Sequence, residues 1–317
     1  MKSRSVLFKI SLALLLLVGV SIGFYLNNAL SNAEEKSYAD LAEKLILDLN
    51  DQEHLLENIG VTNATFIADN SRIKQALIQN DRSIAIKELK IIFDNYKKST
   101  KIKDLKVHIH TTDVRSFVRS WKLDKFGDDL SGFRKTVIRV NTTHHPVFDF
   151  EVGRMGLTLR AIVPVMRGED FLGTLEFIQS FDNAEKYFEK KGHKHLLLMN
   201  DSLVFIARDL KEAPSVDHYK LGSNIYNEDF LKAAQALDLD KLHEKGYLLT
   251  NQYLFTYKDI RDMSNNSVGM HLMGIPIQQV QTVVEVAKSS TLTMIIILIS
   301  SIFIILLFLL FLLRGRG

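Results

Sequence analysis

The sequence predicts an α+β protein with a long amino-terminal helix and two small antiparallel-sheet domains in series, flanked by two transmembrane helices. Long apolar runs stand near both ends of the 317 residues. Between them, apolar residues first recur with the period of a helix and then alternate with the two-residue period of strands. The strand pattern occurs a second time in weaker form. Short polar turns separate the strands of each set, which favours antiparallel sheets beside a helix.

Both apolar runs are about long enough to cross a bilayer as a helix, which takes roughly 20 residues. The first, residues 6–26, carries one early charge, and a cleaved signal peptide is its alternative interpretation. The second, residues 291–313, carries no charge. Basic residues stand before or at the start of the first run, at Lys2, Arg4 and Lys9, and after the second, at Arg314 and Arg316. Both termini are therefore expected in the cytoplasm, and residues ~28–289 outside it.

Helical spacing fills the first part of the region between the runs, and strands follow. Helices are predicted over residues 27–58, 59–70, 70–77 (with Asn70–Ser71 as N-cap pair) and 80–99. Strands are predicted over residues 105–111, 115–121, 136–140, 146–151, 156–166 and 173–178, before a helix over 181–191. The second set comprises strands over 195–200 and 203–208 around a turn at Asp201-Ser202, a helix over 227–238, and strands over 247–251, 253–260 and 268–276.

One face of the first predicted sheet gathers polar and aromatic side chains. Neighbouring residues in a strand point to opposite sides, so Val107 and Ile109 share one face, and His108 shares the other with His110. We expect the apolar face to pack on the long helix and the polar face to surround a ligand. The residues that alternation places on the polar face are His110, Arg119, Trp121, Arg160 and Glu176.

These residue types favour an anionic or zwitterionic ligand. The planar fork of arginine matches a carboxylate with two parallel hydrogen bonds. Tryptophan supplies a flat apolar wall that also attracts a cationic amine. Asp113 or Glu151 could bind such an amine or hold an arginine in place. The predicted ligand-binding residues are His110, Asp113, Arg119, Trp121, Arg134, Glu151, Arg154, Arg160 and Glu176.

Ordinary structural roles are the alternatives for the same residues. Two arginines can close loops through nearby acids, Arg119 and Arg134 with Asp128, Asp129 or Glu151. Trp121 can be plain core, and histidines on a sheet face are more often hydrogen-bonded structural residues than ligands. Gly153 and Gly156 are expected to serve a turn, because glycine tolerates positive φ.

Several function classes are disfavoured. The net charge of +3, with no basic run among aromatics, argues against a nucleic-acid partner. The chain has no cysteine, so a metal site would need histidine with a carboxylate. Histidines do occur two apart, at His108 with His110 and at His193 with His195, but no HExxH spacing exists. No metal or cofactor is expected. Ser116, His110 and Asp113 have the residue types of a catalytic triad without a GxSxG turn, so no enzyme is expected either.

Two segments resemble a known family. They read HIHTTDVRSFVRSWKLDKFGDDLSGFRKTV (residues 108–137) and FDFEVGRMGLTLRAIVPVMRGEDFLGTLEF (residues 148–177). They are similar to the third type of double Cache sensing region, found in bacterial chemoreceptors, sensor kinases and diguanylate cyclases. The order of elements is similar over nearly the whole outside region. The resemblance implies two PAS-like sheet domains, with the ligand in the membrane-distal one and signal transmission through the proximal one.

On this basis the chain is expected to divide into four parts. These are a cytoplasmic tip with the first transmembrane helix (1–28), the long helix with the distal Cache domain (29–185), the proximal Cache domain (186–288), and the second transmembrane helix with its tip (289–317). The resemblance implies a receptor in the bacterial inner (cell) membrane, with its middle part periplasmic or extracellular. The chain ends at RGRG, where such receptors continue into a signalling domain. We expect truncation, the alternative being an orphan input served by a partner.

The expected function is ligand sensing in chemotaxis or other signal transduction. A small organic acid or amino acid should bind the distal domain, and the signal should cross the bilayer as helix movement. The expected partners are that ligand, the lipid bilayer, a second copy in a homodimer and a cytoplasmic signalling domain. Two alternatives remain open. One is an input module of a sensor histidine kinase or diguanylate cyclase with a non-anionic ligand. The other is a structural or protein-binding ectodomain without a small-molecule ligand.

Overall fold

The computed structural model describes residues 2–99, 105–223 and 225–314, without the side chains of residues 2–15, 183, 306, 309–310 and 312–314. Its helices are α1 (Lys2–Ala68), α2 (Ser71–Gln79), α3 (Arg82–Ser99), α4 (Lys135–Thr143), α5 (Asp182–Lys190), α6 (Glu228–Gln235), α7 (Leu239–Lys245) and α8 (Ile277–Arg314). Its strands are β1 (Lys106–His110), β2 (Ser116–Arg119), β3 (Val147–Gly153), β4 (Gly156–Arg167), β5 (Asp170–Gln179), β6 (Lys194–Asn200), β7 (Ser215–Val216), β8 (Tyr219–Leu221), β9 (Tyr247–Leu249), β10 (Tyr253–Arg261) and β11 (Ser267–Pro276).

The chain forms two compact units. One comprises Met1–Lys44, Tyr247–Phe255 and Ile275–Gly317. In this unit Glu34 on α1 is paired with Lys288 on α8. Among the described residues, one helix is long and apolar enough to cross a membrane, over Ile277–Ile305. The first predicted span, residues 6–26, lies partly outside the described side chains and stays a prediction.

The second unit, Leu45–Gly246 with Thr256–Gly274, contains the first sheet. Its strand order is β2-β1-β5-β4-β3 with antiparallel neighbours. Val107 and Ile109 are fully buried in a core with Val163 of β4 and Leu175 of β5, together with residues of α2, α3 and the end of α1. Burial of this apolar face is the main stabilising contribution to the sheet. The alternation predicted from the sequence is confirmed, and the polar face is left for other contacts.

The strand predicted over residues 136–140 is wrong, because these residues lie in α4. Thr136, Val137 and Val140 are its buried side chains, at the spacing of one helix face. β-Branched residues favour strands only weakly, and packing of α4 beside β3, β4 and β5 overrides that preference. The helix places Arg134, the residue that precedes it, at the polar face of the sheet.

The predicted hairpin at Asp201-Ser202 is also wrong. The side chain of Asn200 accepts a hydrogen bond from the Ser202 amide (3.0 Å) and caps a 3₁₀ turn, so no strand follows β6 directly. Phe205 in the following segment is 70% exposed. The second sheet has the order β7-β8-β6-β11-β10-β9. The helix predicted over 227–238 ends at Gln235, because Asp238 caps the separate helix α7. Residues 59–68 continue α1 without a break.

A histidine pair is buried in the second sheet. His195 Nε2 lies 2.9 Å from His271 Nδ1, and His271 Nε2 lies 3.4 Å from Glu53 on α1. Burial lowers the pKa of His271 to about 4, although the Glu53 carboxylate opposes the shift. A neutral imidazole in the folded chain, with an ordinary pKa in the unfolded chain, makes stability depend on pH.

We expect the free energy of unfolding to fall as the pH is lowered from 7 to 5. In this window the unfolded chain binds a proton at His271 that the folded chain rejects, which amounts to about 2 kcal/mol for this group. Urea unfolding of the full-length chain in detergent at both pH values measures the difference. The loss of stability between pH 7 and pH 5 should be about 2 kcal/mol smaller in His271→Gln than in the wild type. It should be unchanged in the exposed control His145→Gln. Equal pH dependence of wild type and His271→Gln would contradict this assignment.

Candidate functional site

The polar face of the first sheet forms the floor of a cavity of about 510 Å³. The floor comprises His108, Arg119, Arg134 and Arg160. The rim is built from Trp121, Lys122 and Lys125 after β2, from Arg154 and Met155 in the β3–β4 hairpin, and from Phe205, Ile206, Arg208 and Asp209 after β6. The cavity therefore draws its walls from the first sheet and from the segment that follows β6.

Glu176 is the centre of the floor and is fully buried. Arg134 Nη2 and Arg160 Nη1 both donate to its Oε1 atom, each at 2.5 Å. Glu151 closes the network, because its Oε2 accepts from Arg134 Nε at 2.7 Å and lies 3.5 Å from Arg160 Nε. Two arginines and two glutamates thus neutralise one another beneath the cavity.

Strand register explains how the network assembles. Glu176 on β5 is opposite Ile162 on β4, so Arg160, two residues earlier, projects from the same face. Gly153 provides the space, since a Cβ there would lie 2.4 Å from Arg160 Nη2. The predicted turn role holds for Gly156, whose φ is +102°. At Gly153, glycine is needed because a side chain would occupy the space of the Arg160 guanidinium.

Electrostatics keep the floor ionised. Burial opposes the charge of Glu176, but attraction to Arg134 and Arg160 outweighs it and holds the pKa of the carboxyl well below its ordinary value. Burial likewise opposes the charge of Arg134. Glu176 and Glu151 outweigh that effect and raise the pKa of the guanidinium. Such a network is stable only while every member is present.

Arg119 is held by an acid of its own. Its two terminal nitrogens donate to the two carboxylate oxygens of Asp128 at 2.7 and 2.8 Å, and Nη1 also donates to the Lys125 carbonyl. These hydrogen bonds lower the pKa of Asp128. For Arg119 and for Arg134, which pairs with Glu151, the alternative interpretation of arginine as a loop closure is the one that the contacts support.

His108 forms part of the floor of the cavity, and His110 lies below it. His108 is 1% exposed and His110 is fully buried. His108 Nε2 lies 2.8 Å from Ser116 Oγ, and His110 Nδ1 lies 2.8 Å from Thr174 Oγ1. Burial lowers the pKa of His108 to about 4 and that of His110 well below its ordinary value. Both imidazoles are therefore neutral at pH 7.

The rim carries cations that lack an acidic partner. Among the described residues no carboxylate lies within ion-pair distance of Lys122, Lys125, Arg154 or Arg208. Burial and the nearby guanidinium of Arg154 lower the pKa of Lys125. The rim thus carries positive charge that no carboxylate of the described residues offsets.

The structure brings together most of the predicted site residues. Arg119, Trp121, Arg134, Arg154 and Arg160 line the cavity, and His110, Glu151 and Glu176 lie beneath it. Asp113 is elsewhere, in an exposed turn where it accepts from Thr111 and from Arg115 Nε (3.1 Å). Trp121 is 38% exposed, so it is not plain core.

Sequence reasoning missed several rim residues. Lys122 follows Trp121 directly and Lys125 comes soon after it, and this proximity was a usable signal. No sequence signal pointed to Arg208 and Asp209, because the wrongly predicted hairpin assigned the segment after β6 to the second sheet.

Comparison with known families identifies the fold. The family model described as a double sensory domain of two-component sensor kinases matches residues 35–281. The chain belongs to this double Cache family. Its members are ligand-binding input domains of signal transduction, so this double Cache chain is a sensory module. The α+β class with a long helix and two antiparallel sheets is confirmed, and the resemblance seen in the sequence is correct. No curated protein shows significant sequence similarity to the chain.

Solved structures include sensor domains of similar fold. The sensor domain of the Vibrio cholerae histidine kinase DctB is 12% identical, with 75% of this chain and 98% of that chain covered and a TM-score of 0.43. A domain of a sensory box/GGDEF family protein from Vibrio parahaemolyticus is 11% identical (78% and 99% covered, TM-score 0.46). The ligand-binding domain of the Campylobacter jejuni chemoreceptor Tlp3, solved with 4-methylisoleucine, is 11% identical (80% and 94%, TM-score 0.48). These similarities are too distant to indicate a ligand.

We expect Glu176→Gln to lower the free energy of unfolding by about 3–5 kcal/mol, because it leaves Arg134 and Arg160 buried with one acid between them. Urea unfolding of the full-length chain in detergent measures the loss. Glu169→Gln, an exposed glutamate in the β4–β5 turn, is the matched control and should change stability by less than about 0.5 kcal/mol. A similar small effect for both variants would show that the network contributes no stability.

Proposed function

We propose that the chain is the extracytoplasmic sensing region of a bacterial transmembrane receptor, and that it binds a small carboxylate-bearing molecule in the cavity of the distal domain. One observation carries the proposal. Seven lysines and arginines line the cavity against two aspartates, and four of these cations have no acidic partner among the described residues. A folded protein rarely gathers like charge around a concave surface unless an opposite charge binds there.

The floor and the rim have different roles in this proposal. Arg134 and Arg160 are both paired with Glu151 and Glu176, so they support the site and do not lose a partner when a ligand arrives. Free charge is offered by Lys125 and Arg154, which can each form a charge-assisted hydrogen bond to a carboxylate. Trp121, Met155 and Phe205 add apolar surface for the rest of the ligand.

A zwitterionic ligand would form a second ionic contact in the cavity. Asp209 lines the cavity and has no basic partner within ion-pair distance among the described residues. Its backbone amide donates to the Arg154 carbonyl at 3.1 Å, which holds the aspartate beside the cationic rim. An α-amino acid presents the complementary pair of charges. The proposed ligands are therefore organic acids, and amino acids where Asp209 binds the amine.

The proposed signalling mechanism depends on the three segments that form the walls of the cavity. The sheet, the β3–β4 hairpin and the segment after β6 all contact the same space, so a ligand favours the arrangement in which they close around it. A ligand shifts an equilibrium only by its difference in affinity for the two states. We propose that this shift moves the long helix relative to the second span and so crosses the membrane, with the sensor acting as a homodimer in the inner membrane.

The cation-rich rim predicts weaker binding of an organic acid in Lys125→Ala and Arg154→Ala, by about tenfold each, because each loses one charge-assisted contact. Calorimetric titration of the full-length chain in detergent, after a thermal-shift screen of organic acids, amino acids, amines and neutral sugars, measures the affinity. Lys232→Ala, at an exposed position on α6 outside the cavity, is the control and should bind as the wild type does. Affinity should fall as salt is raised. Stabilisation by neutral sugars alone would contradict an anionic ligand.

Asp209→Asn separates the two ligand classes. It should weaken an amino acid by about tenfold because it removes the partner of the amine, and it should leave a matched organic acid unchanged or bound more tightly. The same titration on wild type and variant with an amino acid and its deaminated analogue supplies the measurement. Equal effects on both ligands would contradict a role for Asp209 in binding the amine.

A further inference from the structure

Among the described residues, the buried atoms His110 Nε2 and Glu176 Oε2 lie beneath the cavity without hydrogen-bond partners, and both side chains are fully buried. Arg160 Nε also lacks a hydrogen-bond partner but lies 3.5 Å from Glu151 Oε2. Buried polar atoms in folded proteins are nearly always satisfied, and an exception indicates strain, a functional role, or a bound group. The anion-binding role proposed above uses the rim of the cavity and does not account for either atom.

Two hydroxyl groups orient the imidazoles towards one point. Ser116 Oγ lies 2.8 Å from His108 Nε2, and Thr174 Oγ1 lies 2.8 Å from His110 Nδ1. Either hydroxyl can accept a hydrogen bond from the ring N–H beside it, which leaves the other ring nitrogen with a free lone pair. In that tautomer the lone pairs are on His108 Nδ1 and His110 Nε2, which lie 3.3 and 3.6 Å from Glu176 Oε2.

The spacing suits a metal ion. Ligand atoms about 2.0–2.1 Å from a tetrahedral zinc ion are about 3.3–3.4 Å apart from one another. The two nitrogen-to-oxygen distances match this separation to within a few tenths of an ångström. Each of the three residues offers a ligand atom within 4.8 Å of those of the other two. A hydrogen bond from the far ring nitrogen to a fixed acceptor is also the usual support of a metal-bound histidine.

We propose that His108, His110 and Glu176 bind a divalent transition-metal ion of the zinc class, through His108 Nδ1, His110 Nε2 and Glu176 Oε2. Two imidazoles and one carboxylate suit Zn²⁺ and its first-row neighbours, whereas Mg²⁺ and Ca²⁺ prefer oxygen ligands throughout. The neutral state of both rings is the form that binds metal. The sequence indicated the two histidines, and the carboxylate that completes the set comes from β5, 66 residues further along the chain.

Charge determines what completes the coordination. Arg134, Arg160, Glu151 and Glu176 sum to zero, so a divalent ion adds two positive charges to a buried neutral network. An anion in the fourth position would offset them. His108 lines the cavity, so that position is reached from the side where an organic acid enters. The metal site itself is independent of the proposed anionic ligand. Only this coupling between them rests on the proposed function.

Cobalt binding tests the proposal. The untagged full-length chain is purified in detergent, stripped with a chelator and titrated with Co²⁺ in a non-coordinating buffer, without organic acid. We expect one equivalent per chain, the visible absorption of four-coordinate Co²⁺, and displacement by Zn²⁺. His108→Gln and His110→Gln should each weaken binding at least 100-fold, while His145→Gln, an exposed histidine, should bind as wild type does. Circular dichroism monitors folding of each variant.

X-ray absorption of the zinc-loaded wild type keeps the test independent of variant folding. Two imidazoles with oxygen ligands support the site, and a spectrum without imidazole overturns it. So does the absence of a stoichiometric cobalt spectrum, or a folded His108→Gln that binds as wild type does. Repeating the titration with an organic acid separates the two proposals. Metal binding without any organic-acid affinity refutes only the anionic ligand, and organic-acid binding without metal refutes only the metal site.

Discussion

The carboxylate of Glu176 is the constraint on which the sensing domain depends. It is fully buried in the middle of the sheet, yet it is charged, because Arg134 and Arg160 converge on one of its oxygens. Burying any one of these charges alone would be strongly unfavourable, so the three side chains and Glu151 must assemble together. The network thereby fixes how α4, β3, β4 and β5 meet at the polar face of the sheet.

That constraint divides the cavity into a neutral floor and a charged rim. The arginines of the floor already have acidic partners, including Arg119, which pairs with Asp128. In the proposed function, recognition of a ligand falls to the more exposed cations, such as Lys125 and Arg154, whose charges no described carboxylate offsets. On that proposal, substitutions at the rim would change the affinity without unfolding the core.

The remaining oxygen of Glu176 connects the charge network with the histidines of β1. One carboxylate serves both, since Oε1 accepts from the two arginines and Oε2 faces the two free imidazole nitrogens. The two arginines at Oε1 attract the negative charge of the carboxylate. A metal ion at Oε2 would compete with them for that charge. The network and the proposed metal site are thus electrostatically coupled, and an anion in the cavity would act on both.

The sequence by itself determined the double Cache fold and the division of the first sheet into an apolar and a polar face. The two faces follow from local periodicity, which places Val107 in the core and His108 opposite it whatever the tertiary context. The double Cache fold was indicated by the resemblance of residues 108–137 and 148–177 to that family. Tertiary structure decided the helix at Lys135–Thr143, since packing overrides the weak strand preference of β-branched residues. It also decided the partner of each arginine and the contribution of Arg208 and Asp209 to the rim. Glu176 contacts Arg134 across 42 residues of chain, and no local pattern encodes a contact between segments that only folding brings together.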